Sequence, residues 1–429
     1  VNDHAVASNH GSLRRSLDSI LGPTLVFAGV AAAFASLFVA AGAPTPLLVR
    51  LQQSLGFPVS LLTIAFAAYA VGFLGALLTL GSLSDYVGRK PVLLVALSAE
   101  LIAMVMFLLA GSVEWLIAAR FVQGAATGAA TAAFSAALIE LAPPSRRGAG
   151  AVFGAVAPAG GLALGALLTG VAVQVTTAPN AIVFGILTVT MAADLVIVAL
   201  AAETAKHRTG ARAALKPHLA VPADVRQFFV AVVPLQVAAW MLAGLYLGLI
   251  PSIIHGILGI DSGLLNGATA FIEPAAAAVA ALALGRVDPR TTTRLGAQFL
   301  VAGSLVVLVG IVGHSIGLLW LGGAIGGVGF GAALSGPNRS MAERVRPDER
   351  AGLFAAVFAI GYLAFGIPVV IAGQAADRIG LAPAATAYGL VLLAVAIVGL
   401  LAQSRHDLGV GHRAKSMRHA PTVREVIDV

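Results

Sequence analysis

The sequence predicts an all-α integral membrane protein, with twelve transmembrane helices arranged as two pseudo-symmetric six-helix bundles. Three observations carry that prediction. Of the 429 residues, 59% are hydrophobic and only 10% charged, and the mean hydropathy is +0.95. That is too little charge to cover a water-soluble protein of this length. Uncharged runs long enough to cross a bilayer recur along the chain. Finally, a shift of 203 positions lays one half of the sequence on the other without a gap over a long stretch.

The recurring runs set the elements. Thr24–Ala43 and Leu61–Leu80 are each 20 residues without a charge, and about 20 residues of helix cover the roughly 30 Å hydrocarbon core. Ala, Leu and Gly dominate and strand-like alternation is absent, which points to helices rather than a barrel. Spans 1 and 2 are therefore 24–43 and 61–80. Spans 3 and 4 follow at 91–110 and 115–141, and spans 5 and 6 at 149–172 and 179–201. The longest internal connection, Glu203 to Arg226, then carries KHRTGARAALKPH. Beyond it come spans 7 to 9 (227–250, 263–284, 295–313) and spans 10 to 12 (316–338, 351–372, 383–403). The expected units are an N-terminal bundle over 1–203, a linker over 204–226, a C-terminal bundle over 227–403 and a polar, basic tail over 404–429.

Charge fixes the orientation. With both ends on one side, the termini and the connections between spans 2 and 3, 4 and 5, 6 and 7, 8 and 9, and 10 and 11 share that side. They hold all of the 26 basic residues except Arg50 and Arg378 on the other face and Arg120 inside span 4. Such a bias marks the cytoplasmic side, so both termini are expected in the cytoplasm of a bacterial inner-membrane protein. The net charge of +7 is spread over separate loops, which argues against a nucleic-acid partner. Trp115 and Trp320 begin spans 4 and 10 at the outer headgroup level, where amphipathic rings are favoured. No cleavable signal peptide is expected, because the first apolar run is too long for one. Cysteine is absent, which removes disulfides and thiolate metal sites.

In the repeat, Asp85 falls on Asp288, Glu140 on Glu343, Pro144 on Pro347 and Arg147 on Arg350. Gly124 and Gly128 fall on Gly327 and Gly331, and Gly170 on Gly373. Coincident Gly is cheap in such a composition; Asp, Glu, Pro and Arg at one offset are not. Two parallel six-helix halves with a mid-membrane site between them are a transporter arrangement.

Between spans 2 and 3 lies GSLSDYVGRK. Its pattern, Gly81-x-x-x-Asp85-x-x-Gly88-Arg89-Lys90, resembles the cytoplasmic loop signature of the major facilitator superfamily. It departs at Tyr86, where the family usually has a basic residue. The second-half copy keeps Asp288 near Gly285 but has Thr291 to Thr293 where the basic pair would stand. Arg120-x-x-Gln123-Gly124-x-x-x-Gly128 resembles the span 4 motif of proton-coupled exporters. GAVAPAGGLALG in span 5 keeps Pro158 and Gly161 of the antiporter motif, with Ala157 and Leu162 where glycines are expected. The resemblance covers all twelve spans and implies the major facilitator fold. It further implies a loop that latches the halves on the cytoplasmic face through Gly81, Asp85, Gly88, Arg89 and Lys90. Asp85 would meet the start of span 11, after Pro347-Asp348-Glu349-Arg350, and Pro158 and Gly161 join the gating set. Physically, Gly81 and Gly88 allow close backbone approach, Asp85 suits the positive end of a neighbouring helix and Arg89 offers a fork to a carboxylate. Fixing topology alone is the plainer role for these charges.

Ionisable residues inside spans are functional candidates by default, and Glu100, Arg120, Asp194 and Glu273 stand out. Arg120, Gln123, Thr127, Thr131 and Ser135 fall within about 60 degrees of one line along span 4 at 100 degrees per residue. Such a stripe should face a cavity or a helix, and the resemblance assigns spans 1, 4, 7 and 10 to a central cavity. Snorkelling is the alternative for Arg120. In span 8, Asn266, Thr269 and Glu273 share a face, with Pro274 following. A carboxyl at that depth can exchange a proton with a gradient; a static hydrogen-bonded carboxyl is the alternative. Gln236 and Trp240 share a face of span 7, where Trp240 can stack on a flat or cationic substrate or simply pack. The glycines of span 10 serve gating or close packing. Glu100 and Asp194 lie on spans that the resemblance places behind the cavity, and read as a structural carboxyl pair sharing a proton.

No enzyme constellation and no Walker pattern occur, so neither catalysis nor ATP drive nor a cofactor is expected. The expected function is secondary active transport, with protons exchanged for small amphipathic or drug-like molecules by a monomer in the bilayer. Arg120 and Glu273 would couple protons, and Gln123, Thr127, Thr131, Gln236, Trp240 and Asn266 would contact substrate. An uptake symporter for a small metabolite and a non-transporting receptor or scaffold are the competing readings.

Overall fold

Twelve helices long and apolar enough to cross a membrane build the molecule, a computed structural model that describes residues 22–205, 208–217, 219–346 and 349–418. In the first half they are α1 (Pro23–Leu55), α2 (Val59–Leu80), α3 (Arg89–Leu108), α4 (Val113–Leu141), α5 (Ala149–Val175) and α6 (Pro179–Leu200). In the second they are α7 (Ala223–Gly256), α8 (Gly263–Ala283), α9 (Pro289–Val312), α10 (Ile316–Arg344), α11 (Arg350–Ile379) and α12 (Leu381–Arg405). No strand occurs among the described residues. Helices of this length satisfy their backbone hydrogen bonds internally, which hydrocarbon demands. Large apolar side chains such as Val71, Val95, Ile186 and Ile371 stand exposed on the outer surface, where lipid rather than water covers them.

Several helices outrun the apolar windows. α1 continues past Ala43 to Leu55, because Ala43 is itself helical (φ −58°, ψ −38°) and Pro44 falls in the first turn of the continuing segment. There its missing N–H is no loss. α7 extends to Gly256 through a π-helical turn at Leu245–Leu249, just before Pro251, whose ring removes a donor from the ladder. The backbone of the last helix runs on to Arg418, so the stretch after Ser404 is helical as far as it is described. The residues before 22, Lys206, the Pro347–Asp348 pair expected opposite Asp85, and the end of the tail lie outside the described residues.

Glycines at repeat-related positions set the helix spacing within each half. A Cβ on Gly124 or Gly128 of α4 would come within 2.1 or 2.2 Å of the Tyr69 or Phe73 carbonyl oxygen of α2. A Cβ on Gly327 or Gly331 of α10 would likewise come within 2.3 or 2.4 Å of the Glu273 or Ala277 carbonyl of α8. Gly327 and Gly331 of α10 thus permit close packing on α8.

The same symmetry joins the halves. α5 packs on α8 through Gly170 against Gly263 and Gly267, and α11 packs on α2 through Gly373 against Thr63. Both seams close on the face that carries Arg50, where Gln53 and His255 share a hydrogen bond of 2.7 Å and Ser262 donates to Gln174 at 3.0 Å. On the opposite face, that of the basic loops, the linker ties in through the Ala220 N–H, which donates to the Gly352 carbonyl at 3.3 Å. Of the two interface tryptophans expected, Trp115 is 43% exposed at the start of α4. Trp320 instead turns into the bundle and donates to Thr269 at 2.7 Å.

Candidate transport site

A cavity of about 380 Å³ lies between the halves. It reaches from Thr45 on the seam side to Ser135, Ser335 and Asn338 near the ends of α4 and α10 on the basic-loop face. Aromatic rings form much of its wall. α2 supplies Phe66, Tyr69 and Phe73, and α11 supplies Phe358, Tyr362 and Phe365. Tyr362 stacks on Phe73 with centroids 4.2 Å apart, and Phe365 lies 4.7 Å from Phe66. Trp240 of α7 sits 4.9 Å from Tyr362 and 5.6 Å from Phe330, so rings from both halves meet in one patch.

The polar stripe of α4 divides between two environments. Arg120, Thr131 and Ser135 line the cavity. Arg120 is buried rather than snorkelling: its guanidinium donates to the Gln123 side chain at 2.6 Å and to the Ala41 carbonyl at 3.3 Å, and lies 4.6 Å over the Tyr69 ring. Gln123 and Thr127, expected as substrate contacts, are fully buried and do not line the cavity. Gln123 donates to the Ala40 carbonyl at 2.9 Å and to Glu100 at 3.2 Å, while the Thr127 hydroxyl lies 3.5 Å from the second Glu100 oxygen. Their side chains therefore link Arg120 to Glu100. Glu100 and Asp194 do not share a proton as a pair; each is engaged by a different helix, Glu100 by α4 and Asp194 by the Ser36 hydroxyl of α1.

Across the cavity stands Glu273. It is 1% exposed, it lines the cavity, and its Oε1 has no hydrogen-bond partner. The Nε1 of Trp240 is also without one. Gln236, expected beside Trp240 as a substrate contact, donates instead to the Ala333 carbonyl of α10 at 3.0 Å and does not line the cavity. Asn266 opens on a separate pocket on the Arg50 face, with Gln53, His255 and Asp261 among its walls. Position along the helix explains both: each shares a stripe with a cavity residue but lies one or two turns away, where a neighbouring helix or the seam has closed. Pro158 lines the cavity within α5, and Gly161 lets α5 close on α1, since a Cβ there would lie 2.6 Å from that of Phe38.

In the loop between α2 and α3, Arg89 donates to Asp85 at 2.5 Å, to the Ser84 hydroxyl at 2.7 Å and to Glu140 of α4 at 3.1 Å. Asp85 thus pairs within its own loop, and the Pro347–Asp348 pair before the helix start expected to meet it lies outside the described residues. The start of α3 is capped by Glu203, which accepts from the Arg89 and Lys90 backbone N–H groups at 2.8 and 3.0 Å. Partial burial raises the Glu203 pKa, but hydrogen bonds from the Ala205, Arg89, Lys90 and Thr204 backbone outweigh it and hold the carboxyl below its ordinary value. Gly88 has φ +99°, a conformation that favours glycine, and a Cβ there would lie 2.5 Å from the Glu203 carboxylate and displace it. Gly81 is right-handed helical (φ −57°), so its backbone makes no such demand, but a Cβ there would lie 2.4 Å from the Leu77 carbonyl oxygen. The Lys90 ammonium donates to the Ala199 and Ala201 carbonyls at the end of α6, the latter at 3.0 Å. In the second half, Asp288 caps its own helix by accepting from the Thr291 N–H at 3.0 Å. Arg339 of α10 holds that loop through the Gly285 and Val287 carbonyls at 2.6 and 2.9 Å.

Sequence reasoning missed the aromatic wall and the Glu203 cap. The wall had a signal, because Phe66, Tyr69 and Phe73 recur at one-face helical spacing in α2, as do Phe358, Tyr362 and Phe365 in α11. Glu203 had none: its role depends on where α6 ends beside α3.

Residues 26–367 match the family model described as Major Facilitator Superfamily. None of the curated proteins compared matches the chain. Solved structures share the fold at low identity. A bacterial homolog of the human lysosomal transporter Spinster, in an inward-facing and unoccupied conformation, superposes with a TM-score of 0.69 at 14% identity, covering 89% of this chain and 97% of that one. A POT family transporter in complex with 5-aminolevulinic acid gives 0.70 at 14%, covering 90% and 96%. The human organic anion transporter TETRAN gives 0.61 at 19%, covering 88% and 99%. The family match over most of the chain, on a twelve-helix frame with a cavity between its halves, means that this protein belongs to the major facilitator superfamily.

Proposed function

We propose that the protein is a proton-driven secondary transporter that exports small amphipathic or drug-like molecules by alternating access. The observation that carries this reading is Glu273, a buried carboxyl that lines a largely apolar cavity with an oxygen left without a donor. An unpaired buried acceptor is costly, so the site suits something that arrives and leaves, and a proton and a substrate are what a transporter supplies. Arg120 shares the cavity and is the second coupling residue, its guanidinium near or far from Glu273 according to the state of the halves. Thr131 and Trp240 contact substrate. The scarcity of hydrogen-bonding groups on the wall favours apolar bodies over sugars.

The bundles 1–203 and 227–403, joined by the linker 204–226, rock as units about the cavity. When the Arg50-face seam opens, the Asp85–Arg89 loop latches the basic-loop face, which is cytoplasmic by the positive-inside bias. One chain encloses the cavity, so a monomer in a cell membrane is the working unit.

Everted membrane vesicles test this. Vesicles carrying the protein should accumulate a lipophilic substrate when a proton gradient is imposed, lose it on adding a protonophore, and fail with Glu273→Gln. Gradient-driven accumulation by intact cells instead would make it an uptake symporter. Cell phenotype and substrate flux unchanged in both Glu273→Gln and Arg120→Ala would make it a receptor or scaffold.

A further inference from the structure

The charge and ring arrangement of the cavity selects for one sign of substrate. Two charged side chains line it, Arg120 and Glu273, and no ion pair joins them among the described residues. They are not equally available. The Arg120 guanidinium donates through Nη1 to Gln123 and the Ala41 carbonyl and lies over the Tyr69 face, although its Nε has no hydrogen-bond partner, and Gln123 carries the network on to the Glu100 carboxyl. Its charge is thus met in part, from within its own half. Glu273 has no such partner: its Oε1 is buried and unpaired, and no basic residue other than Arg120 lines the cavity.

Part of the wall is a cluster of aromatic rings. Trp240, Tyr362, Phe365 and Phe330 meet with centroids 4.9 to 6.0 Å apart. Ring faces carry negative potential and attract a cation, more strongly when it is desolvated. A cavity whose guanidinium is partly engaged, whose carboxyl has no partner, and whose wall includes a cluster of aromatic rings favours positive charge over negative.

We propose that the substrates are lipophilic organic cations, with the positive centre directed to Glu273 and the apolar body against the Trp240–Tyr362 patch. This assignment deepens the transport reading above and rests on it. It names the sign of charge that the cavity accepts, and an organic anion of the same shape is excluded by the same carboxyl.

Tetraphenylphosphonium and tetraphenylborate have nearly the same shape and opposite charge, and so isolate the sign. Binding of radiolabelled tetraphenylphosphonium to the purified full-length protein at a fixed alkaline pH should be saturable. Tetraphenylborate should compete at least tenfold more weakly than unlabelled tetraphenylphosphonium. Glu273→Gln should weaken the cation at least tenfold, and Glu273→Asp should restore part of that loss. Thermal melting of each variant separates lost folding from lost binding; if Glu273→Gln does not fold, the competition on the unaltered chain decides. Equal competition by the two ions, a folded Glu273→Gln protein with unchanged affinity, or no binding of the cation to the unaltered protein would each overturn the proposal. If proton-driven flux of neutral or anionic compounds is then observed, the transport reading stands and the cation assignment alone falls.

Discussion

Gly170 and Gly267 bring α5 and α8 so close that a Cβ on Gly170 would lie 2.6 Å from the Gly267 Cα, and one on Gly267 would lie 2.7 Å from the Gly170 Cα. No side chain fits there without moving a helix. The contact lies in one of the two seams that close the cavity on the Arg50 face. Gly267→Leu should therefore disfavour the closed seam while leaving each half intact. Because the chain has no cysteine, a cysteine introduced at Thr45, which lines the cavity and is 4% exposed, reports this directly. Added from the Arg50 face, an impermeant maleimide should label the Thr45→Cys, Gly267→Leu protein several-fold faster than Thr45→Cys alone. Equal labelling would mean that the seam does not gate the cavity.

Glu203 holds the start of α3 by its charge, and the sign of its pH dependence follows. Its folded pKa is depressed, so its contribution is present above the unfolded value of about 4.3 and is lost as pH falls through the folded value. Hydrogen exchange at the Arg89 and Lys90 amides should be slow near neutrality and lose protection on acidification below the ordinary glutamate range. Glu203→Gln should show reduced protection at every pH. Protection that is independent of both pH and this substitution would remove Glu203 from the role.

Gln123 is predicted to matter for folding before it matters for substrate. Gln123→Leu leaves an Arg120 guanidinium N–H and a Glu100 oxygen without a partner in a buried setting. Losses of this kind cost about 1–3 kcal/mol each, more for charged groups, and the melting temperature of the purified protein should fall by several degrees. A melting temperature equal to that of the unaltered chain would place these groups in contact with water.

Arg339 donates to three carbonyls and a threonine hydroxyl in and around the α8–α9 loop. Arg339→Lys keeps the charge but not the fork, so it should loosen that loop nearly as much as Arg339→Ala. Limited proteolysis between Leu284 and Arg290 measures this, and full protection in the lysine variant would contradict it.

How far the sequence could be read follows from which forces act locally. The number of helices and the glycine pairs of α4 and α10 were legible, because lipid imposes run length and duplication imposes register. Which residues of a polar stripe face the cavity was not. Gln123 and Arg120 share the same helical face, yet one is spent on Ala40 and Glu100 while the other borders open space, a distinction made by how α1 and α3 pack. Asn266 fails for a similar reason, since its helix face is divided between the seam and the cavity. The loop signature revealed its charges but not their partners. Asp85 pairs with Arg89, and the start of α3 is held by a carboxylate more than a hundred residues away.

The central claim is that two halves exchange access to one cavity, and paired distances on the two faces test it most directly. In the cysteine-free chain, spin labels at Ser54 and Asp261 report the Arg50 face, and labels at Ser145 and Glu343 the basic-loop face. Changing pH or adding a transported compound should lengthen the first distance while shortening the second, in one population exchange. Two distances that stay fixed, or that change in the same direction, would contradict alternating access.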